Sequence, residues 1–286
     1  MMLPKIMRRG REKPYGYWVK WTFLKNEVAN LGYSIFPPRG ELCYTSRRMK
    51  NESIQAVVVL SGGQDSATCL ALAVRRHGAG RVAAITFNYG QRHALETKYA
   101  QALARRFGIA RHKVVRLDFY HHLTRNALLN DDIPIARRKG APCPTTVVEG
   151  RNAFFLLSAG VWAKSLGARE IYTGVSQADY SGYPDCRAGF VRAQQRMMRL
   201  AMEWPFKIVT PFMHKTKAEE WALADKLGIL DIVKNETLTC YNGIPGAGCG
   251  KCPACKLRNA GLREYEKRQR AATVTVKRCV SPGRSK

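Results

Sequence analysis

The sequence predicts an α/β fold, a doubly wound parallel sheet followed by a small metal-stapled segment, and three observations predict it. Short apolar runs such as AVVVL (56–60) and VAAITF (82–87) alternate with amphipathic stretches of helical length. A Gly-Gly turn stands directly between the first run and the first helix, and four cysteines fall between positions 240 and 255. Wholly apolar strands are buried on both faces, and strands separated by helices pair in parallel through right-handed crossovers.

Residues 1–48 mix basic and aromatic residues with Pro37-Pro38 and show no sustained periodicity. Met49 then stands just before the first convincing strand, so the segment reads as a basic extension, either an over-long start or a disordered arm. A basic arm that holds RNA is the alternative. From residue 49 to about 230 the elements follow in order: strand 56–60, helix from about Ala67 to His77, strand 82–87, helix from about Ala94 to Phe107, and strand KVVRL (113–117). A helix near Arg151 to Leu166, strand EIYTG (170–174), a helix near Phe190 to Met202, strand KIVTP (207–211) and a helix near Lys215 to Leu227 complete a Rossmann-like domain. After Asp231 the texture changes to Gly, Cys, Pro and Asn, a segment expected to end near 262. Residues 263–286, closing with AATVTVKRCVSPGRSK, read as a basic tail with little core-forming power.

The charge is lopsided. The 286 residues carry 48 Lys+Arg against 21 Asp+Glu, a formal +27 with pI near 10.1, so polyanions, nucleotide phosphates or RNA, are expected partners. Nine cysteines in a chain whose N-terminal apolar stretch is broken by Lys20 and Lys25 predict reduced thiols and a cytoplasmic protein. No run of 18 apolar residues exists, so no spanning helix and no membrane partner are expected.

The tract Leu60-Ser61-Gly62-Gly63-Gln64-Asp65-Ser66 ends a strand and opens a helix, the edge where open α/β sheets bind ligands. Gly62 and Gly63 let successive N–H groups turn toward one anion, and the helix N-terminus adds partial positive charge. Binding residues are expected from Leu60 through Ser66 and on through Ala67, Thr68, Cys69 and Leu70. The tract lacks the G-x-x-x-x-G-K-[ST] pattern of kinases and GTPases. A plain strand-to-helix turn capped by Ser61 or Ser66 uses the same residues, but the whole hexapeptide in this context favours a nucleotide site.

Cys240, Cys249, Cys252 and Cys255 form C-x8-C-x2-C-x2-C. Four thiolates so spaced can surround one tetrahedral zinc, closed and hence structural. An iron–sulfur cluster and a chance group of thiols are the alternatives.

SGGQDS resembles the signature of the PP-loop ATP pyrophosphatases, whose fold is that of the adenine nucleotide alpha hydrolases. Together with FNYGQRH (87–93), GRN (150–152), TGV with YSGYPDCR (173–187) and NETLTCYNG before GCGKCPACKLRNAG, the chain from about Gln55 to Gly261 resembles the 7-cyano-7-deazaguanine synthases of queuosine biosynthesis. The resemblance implies a carbon–nitrogen ligase that takes 7-carboxy-7-deazaguanine, ammonia and ATP, with Mg2+ and Zn2+, to 7-cyano-7-deazaguanine through adenylylated intermediates. It also implies a homodimer and no obligate nucleic acid. Glu149 departs from the family's usual proline.

Adenylyl transfer needs cations around the phosphates. Arg92, Arg151 and Lys217 are the candidates, and Asp65 resembles the family's acidic residue near the magnesium-bound phosphates. For the deazaguanine ring, Tyr180 and Tyr183 offer aromatic faces, Asp185 an acceptor for a guanine-like edge, and Asn152 a polar contact. A surface loop shaped by Gly182 and Pro184, with Asp185 starting the next helix as a cap, is the plainer reading. Competing functions are another PP-loop ligase such as a tRNA-thiolation enzyme, a relative that stops at the amide, and a zinc module that binds nucleic acid.

Overall fold

The computed structural model describes residues 53–91, 95–130, 132–135, 144–177 and 183–280. Its five strands are β1 (Ala56–Val59), β2 (Val82–Asn88), β3 (Arg111–Arg116), β4 (Glu170–Tyr172) and β5 (Lys207–Val209). All pair in parallel, in the order β3-β2-β1-β4-β5. The helices are α1 (Gln64–His77), α2 (Leu95–Arg106), α3 (Tyr120–Leu123), α4 (Arg151–Ser165), α5 (Ala188–Met202), α6 (Lys217–Lys226), α7 (Leu230–Asn235) and α8 (Pro253–Val280).

Side chains of a strand alternate between faces, so a strand buried on both sides must be apolar at every position. In β1 and β2 this is met mainly by Val, Ala and Ile, and the buried Thr86 of β2 satisfies its hydroxyl by donating to the Leu60 carbonyl at 2.7 Å. Ala56, Val58, Leu60, Val82 and Ala84 pack with Ala67, Leu70 and Ala73 of α1 and Leu103 of α2. Val57, Ala83 and Ile85 face the opposite way, onto Leu156, Ala159 and Ala163 of α4 and Met198 of α5. Each large aliphatic side chain withdrawn in this way stabilises the fold by about 1.5–3 kcal/mol. The edge strand β3 is instead largely exposed and carries Arg111, Lys113 and Arg116, charges that discourage pairing with a further strand.

The chain turns from β1 toward β2 on one side and from β4 toward β5 on the other, which makes the gap between β1 and β4 the topological switch point. The loop after β1 opens there. Helix α1 begins at Gln64, three residues before its expected start, because the loop residues Gln64–Ser66 themselves form its first turn.

A third apolar cluster joins α6 and α7 to the C-terminal segment. Trp221, Ala224, Ile229 and Val233 pack with Tyr265 of α8. This corrects the expected boundary at 262: α8 runs through it to Val280, since Tyr265 is buried and its hydroxyl donates to Asp225 Oδ2. Expectations for residues 1–48, and for the end of the tail, lie outside the described residues. Among the described residues no helix is long and apolar enough to cross a membrane.

Candidate active site

A cavity of about 310 Å³ lies at the C-terminal ends of β1, β2 and β4. This is the size range of small-molecule sites. Its floor is the loop. Gly62 has φ of 89°, and a Cβ there would stand 2.7 Å from the carbonyl oxygen of Glu96, so both backbone conformation and the approach of α2 require glycine. Ser66 Oγ donates to the Gly63 carbonyl, and Ser61 Oγ donates to Ser66 Oγ at 3.1 Å. From the far end of the chain, Leu238 N–H donates to the Gly62 carbonyl and Thr239 Oγ1 accepts from Gln64 N–H. Leu60, Ser61, Gly63, Gln64, Asp65 and Ser66 line the cavity. Ala67, Cys69 and Leu70 do not: they are buried in the core beneath the sheet, and Thr68 Oγ1 donates to the Gln64 carbonyl within the helix.

Lys217 reaches the same cavity from α6. Its helix is started by a capping box, in which Thr216 Oγ1 accepts from Glu219 N–H and Glu219 Oε2 accepts from Thr216 N–H. That fixes Lys217 in the first helical position. Gly261 of α8 lets the two helices close, since a Cβ there would meet the Lys217 backbone at 2.9 Å. Lys217 Nζ donates to Asp65 Oδ2 and to Glu220 Oε2, each at 2.9 Å, with its side chain only 9% exposed. The other Asp65 oxygen, Oδ1, is buried and has no hydrogen-bond partner among the described residues. An orphaned carboxylate oxygen beside an anion-binding loop fits a hydrated magnesium ion.

The opposite wall is aromatic. Phe87 stacks on Phe155 at 4.3 Å, and Tyr89, Tyr183 and Tyr241 continue the surface. Arg151 donates from Nη1 to Tyr89 Oη at 3.2 Å and lies over the rings of Tyr89 and Tyr183 at 5.7 and 5.9 Å. Burial opposes its charge, but Tyr89, Tyr183 and Asp185 around it outweigh that and hold its pKa above the ordinary value. Burial also pushes the Tyr89 phenol up to about 12, leaving it neutral. Glu96 completes this wall, its carboxyl accepting from Gln91 Nε2 at 3.5 Å. Burial drives Glu96 up to about 7, against the opposing pull of Arg151 and of that hydrogen bond.

The sequence candidates are thus partly gathered. Asp65, Lys217, Arg151, Asn152 and Tyr183 line one cavity, whereas Arg92 and Tyr180 lie outside the described residues. Asp185 does not cap the helix that follows it; its Oδ2 instead accepts from the Asn152 backbone N–H at 2.9 Å, at the start of the earlier helix α4. Asn152 in turn donates to the Asp185 carbonyl and to Cys186 Sγ. Glu149 accepts from Thr124 Oγ1, tying the segment before α4 to the loop after α3. Residue-level reasoning missed Glu96, Glu220 and Arg258. Arg258 lines the cavity from α8, donates to the Val233 and Lys234 carbonyls that end α7, and has its guanidinium 4.9 Å from the Trp221 ring centroid.

The four cysteine sulfurs of Cys240, Cys249, Cys252 and Cys255 lie within 4.8 Å of one another. A tetrahedral zinc with bonds of about 2.3 Å sets its sulfurs about 3.8 Å apart. Backbone N–H groups of Asn242, Lys251, Cys252 and Cys255 donate to the sulfurs, as befits thiolates. Gly248 has φ of 71°, and a Cβ there would collide with Cys255 Sγ. The cluster can therefore hold a metal ion.

A doubly wound parallel sheet with this loop at its switch point defines the PP-loop class of nucleotide-binding proteins. The model of the family described as queuosine biosynthesis protein QueC matches residues 55–266, and the chain belongs to that family. Among solved structures it is similar to an NMN synthetase from Francisella tularensis, with TM-score 0.41 and 14% identity over 63% of this chain and 64% of that one. It is also similar to an NH3-dependent NAD synthetase from Campylobacter jejuni, with TM-score 0.39 and 17% identity over 63% and 69%. The match spans less than two thirds of the first of these.

Proposed function

We propose that the protein converts 7-carboxy-7-deazaguanine and ammonia to 7-cyano-7-deazaguanine at the expense of ATP, releasing AMP and pyrophosphate in each of two rounds. The observation that carries this reading is the meeting of three parts in one cavity: the Ser61–Ser66 loop, the Lys217–Asp65 pair and the aromatic wall around Arg151. Membership of the family supplies the pathway.

The loop and Lys217 hold the phosphates, and Asp65 would hold the magnesium that neutralises their charge. A carboxylate is a poor electrophile until its oxygen becomes a leaving group. Adenylylation supplies that leaving group, with Lys217 and Arg151 stabilising charge that develops near the α-phosphorus. Ammonia then gives the amide, and a second adenylylation at the amide oxygen permits collapse to the nitrile. Tyr183 and its aromatic neighbours stack on the planar ring, and Asn152 orients it. Zinc in the cysteine cluster would supply folding energy and hold the start of α8, from which Arg258 faces the cavity.

Label in the substrate tests this directly. With both carboxylate oxygens of 7-carboxy-7-deazaguanine replaced by 18O, adenylylation transfers one 18O atom to the first AMP released. Unlabelled AMP, or ADP in its place, would overturn the reading.

A further inference from the structure

Two carboxyl side chains line the cavity, and only one has an evident task. Asp65 pairs with Lys217. Glu96 has no ion pair among the described residues, and its carboxyl accepts one hydrogen bond, from Gln91 Nε2. In the first turn of an amphipathic helix, glutamate ordinarily faces water; here it is half-buried in the cavity wall, and withdrawing its carboxyl without an ion pair among the described residues is costly and calls for a reason. Its position is fixed from two sides. The turn that carries it presses on the phosphate loop at Gly62. Gln91, the donor to its carboxyl, accepts the Tyr89 backbone N–H through Oε1 at 2.9 Å, so Glu96 stands between the loop and the Tyr89–Arg151 wall. That is where a carboxylate stacked on the wall would meet the α-phosphorus of a nucleotide seated on the loop.

The chemistry proposed above needs a proton acceptor there. When ammonia forms its C–N bond to the acyl adenylate, AMP leaves with the electrons of the C–O bond and the nitrogen sheds one proton. When the amide oxygen is adenylylated and pyrophosphate departs, the nitrogen sheds a second, and a third leaves as the second C–O bond breaks to give C≡N and AMP. We propose that Glu96 is the catalytic base that accepts these protons from the reacting nitrogen and passes them to solvent between rounds. The inference deepens the proposed ligase reading and rests on it. Its carboxyl, raised by burial to about 7 while Arg151 faces it, is populated in both protonation states at neutral pH, which suits it to repeated proton transfer.

The test separates adenylylation from proton transfer. In wild-type protein with 7-carboxy-7-deazaguanine, ATP–pyrophosphate exchange without ammonia reads the first step alone, and amide and nitrile formation with ammonium reads the rest. Glu96→Gln is expected to keep exchange within about threefold while amide and nitrile formation slow by about 10²-fold or more, the usual range for losing a general base. The acidic limb of the wild-type kcat/KM profile near pH 7 should disappear in Glu96→Gln and reappear, shifted, in Glu96→Asp. Loss of exchange in Glu96→Gln, or product formation with the acidic limb unchanged, would overturn the proposal. Absence of exchange in the wild type would remove the adenylylation reading, and this role with it.

Discussion

Lys217 Nζ lies 2.9 Å from Asp65 Oδ2, joining two residues 152 positions apart at the mouth of the phosphate loop. The lysine comes from the first turn of α6 and the aspartate from the first turn of α1, so two helix N-termini converge on one anion site. Neither residue is spare: the pair is the charged centre on which adenylyl transfer would turn.

Replacing Lys217 by Met removes a preorganised cation while keeping the side-chain stem. AMP formation is expected to fall about 10²- to 10³-fold, with a smaller change in the KM for ATP. Steady-state kinetics check this, and an unchanged rate would exclude Lys217 from the reaction.

Arg151→Met should act on the opposite wall. It uncovers the Tyr89 and Tyr183 faces and leaves the Tyr89 hydroxyl without its donor. The KM for the deazaguanine carboxylate is expected to rise by about tenfold or more, the effect of about 1.4 kcal/mol, and AMP formation at saturation to fall as well, while ATP binding measured alone changes little.

The Glu96 carboxyl also makes stability depend on pH. Its folded-state value of about 7 lies above the ordinary 4.5, so the folded protein binds the proton more tightly than the unfolded chain. The contribution is present in full below pH 4.5 and is lost as pH rises through 7. Relative to the wild type, Glu96→Gln is therefore expected to be more stable at pH 8, by about 1–3 kcal/mol, with the difference shrinking toward pH 5. Denaturant titrations at the two pH values check the sign.

Metal analysis of the purified protein is expected to return one zinc per chain, removable by a strong chelator. Cys252→Ser should lose the metal and unfold the segment around it. Gly248→Ala should do so in part, because it forces a left-handed backbone on alanine and crowds Cys255 Sγ. Since Arg258 follows Cys255 by one helical turn and faces the cavity, metal loss should lower AMP formation as well as the thermal midpoint.

The sheet was legible because AVVV is apolar throughout and VAAITF at every position but Thr86, a pattern that strands covered on both faces require at that length. The phosphate loop and the cysteines were legible because each is a compact tract whose chemistry follows from local spacing. Glu96 was not, because a glutamate opening the amphipathic stretch LETKYAQALARR has the appearance of a helix-dipole partner in water, and only the approach of α2 to Gly62 brings it into the cavity wall. Arg258 was hidden in the same way, inside a segment read for its metal-binding cysteines. Asp185 shows the converse: its place beside two tyrosines suggested a substrate contact, whereas the fold turns its Oδ2 to the start of α4. The C-terminal helix was underestimated because Tyr265 is a single apolar anchor in a basic stretch, and its partner Trp221 lies in another element.

The central claim is that one cavity adenylylates a carboxylate and then its amide. The measurement that tests it most directly is the count of AMP released per deazapurine product, by mass spectrometry, with magnesium, ATP, ammonium and 7-carboxy-7-deazaguanine, and with Asp65→Ala as the inactive control. Two AMP for each nitrile is the expected result. One AMP with only the amide would contradict the second round, and product formation by Asp65→Ala at the wild-type rate would contradict the site itself.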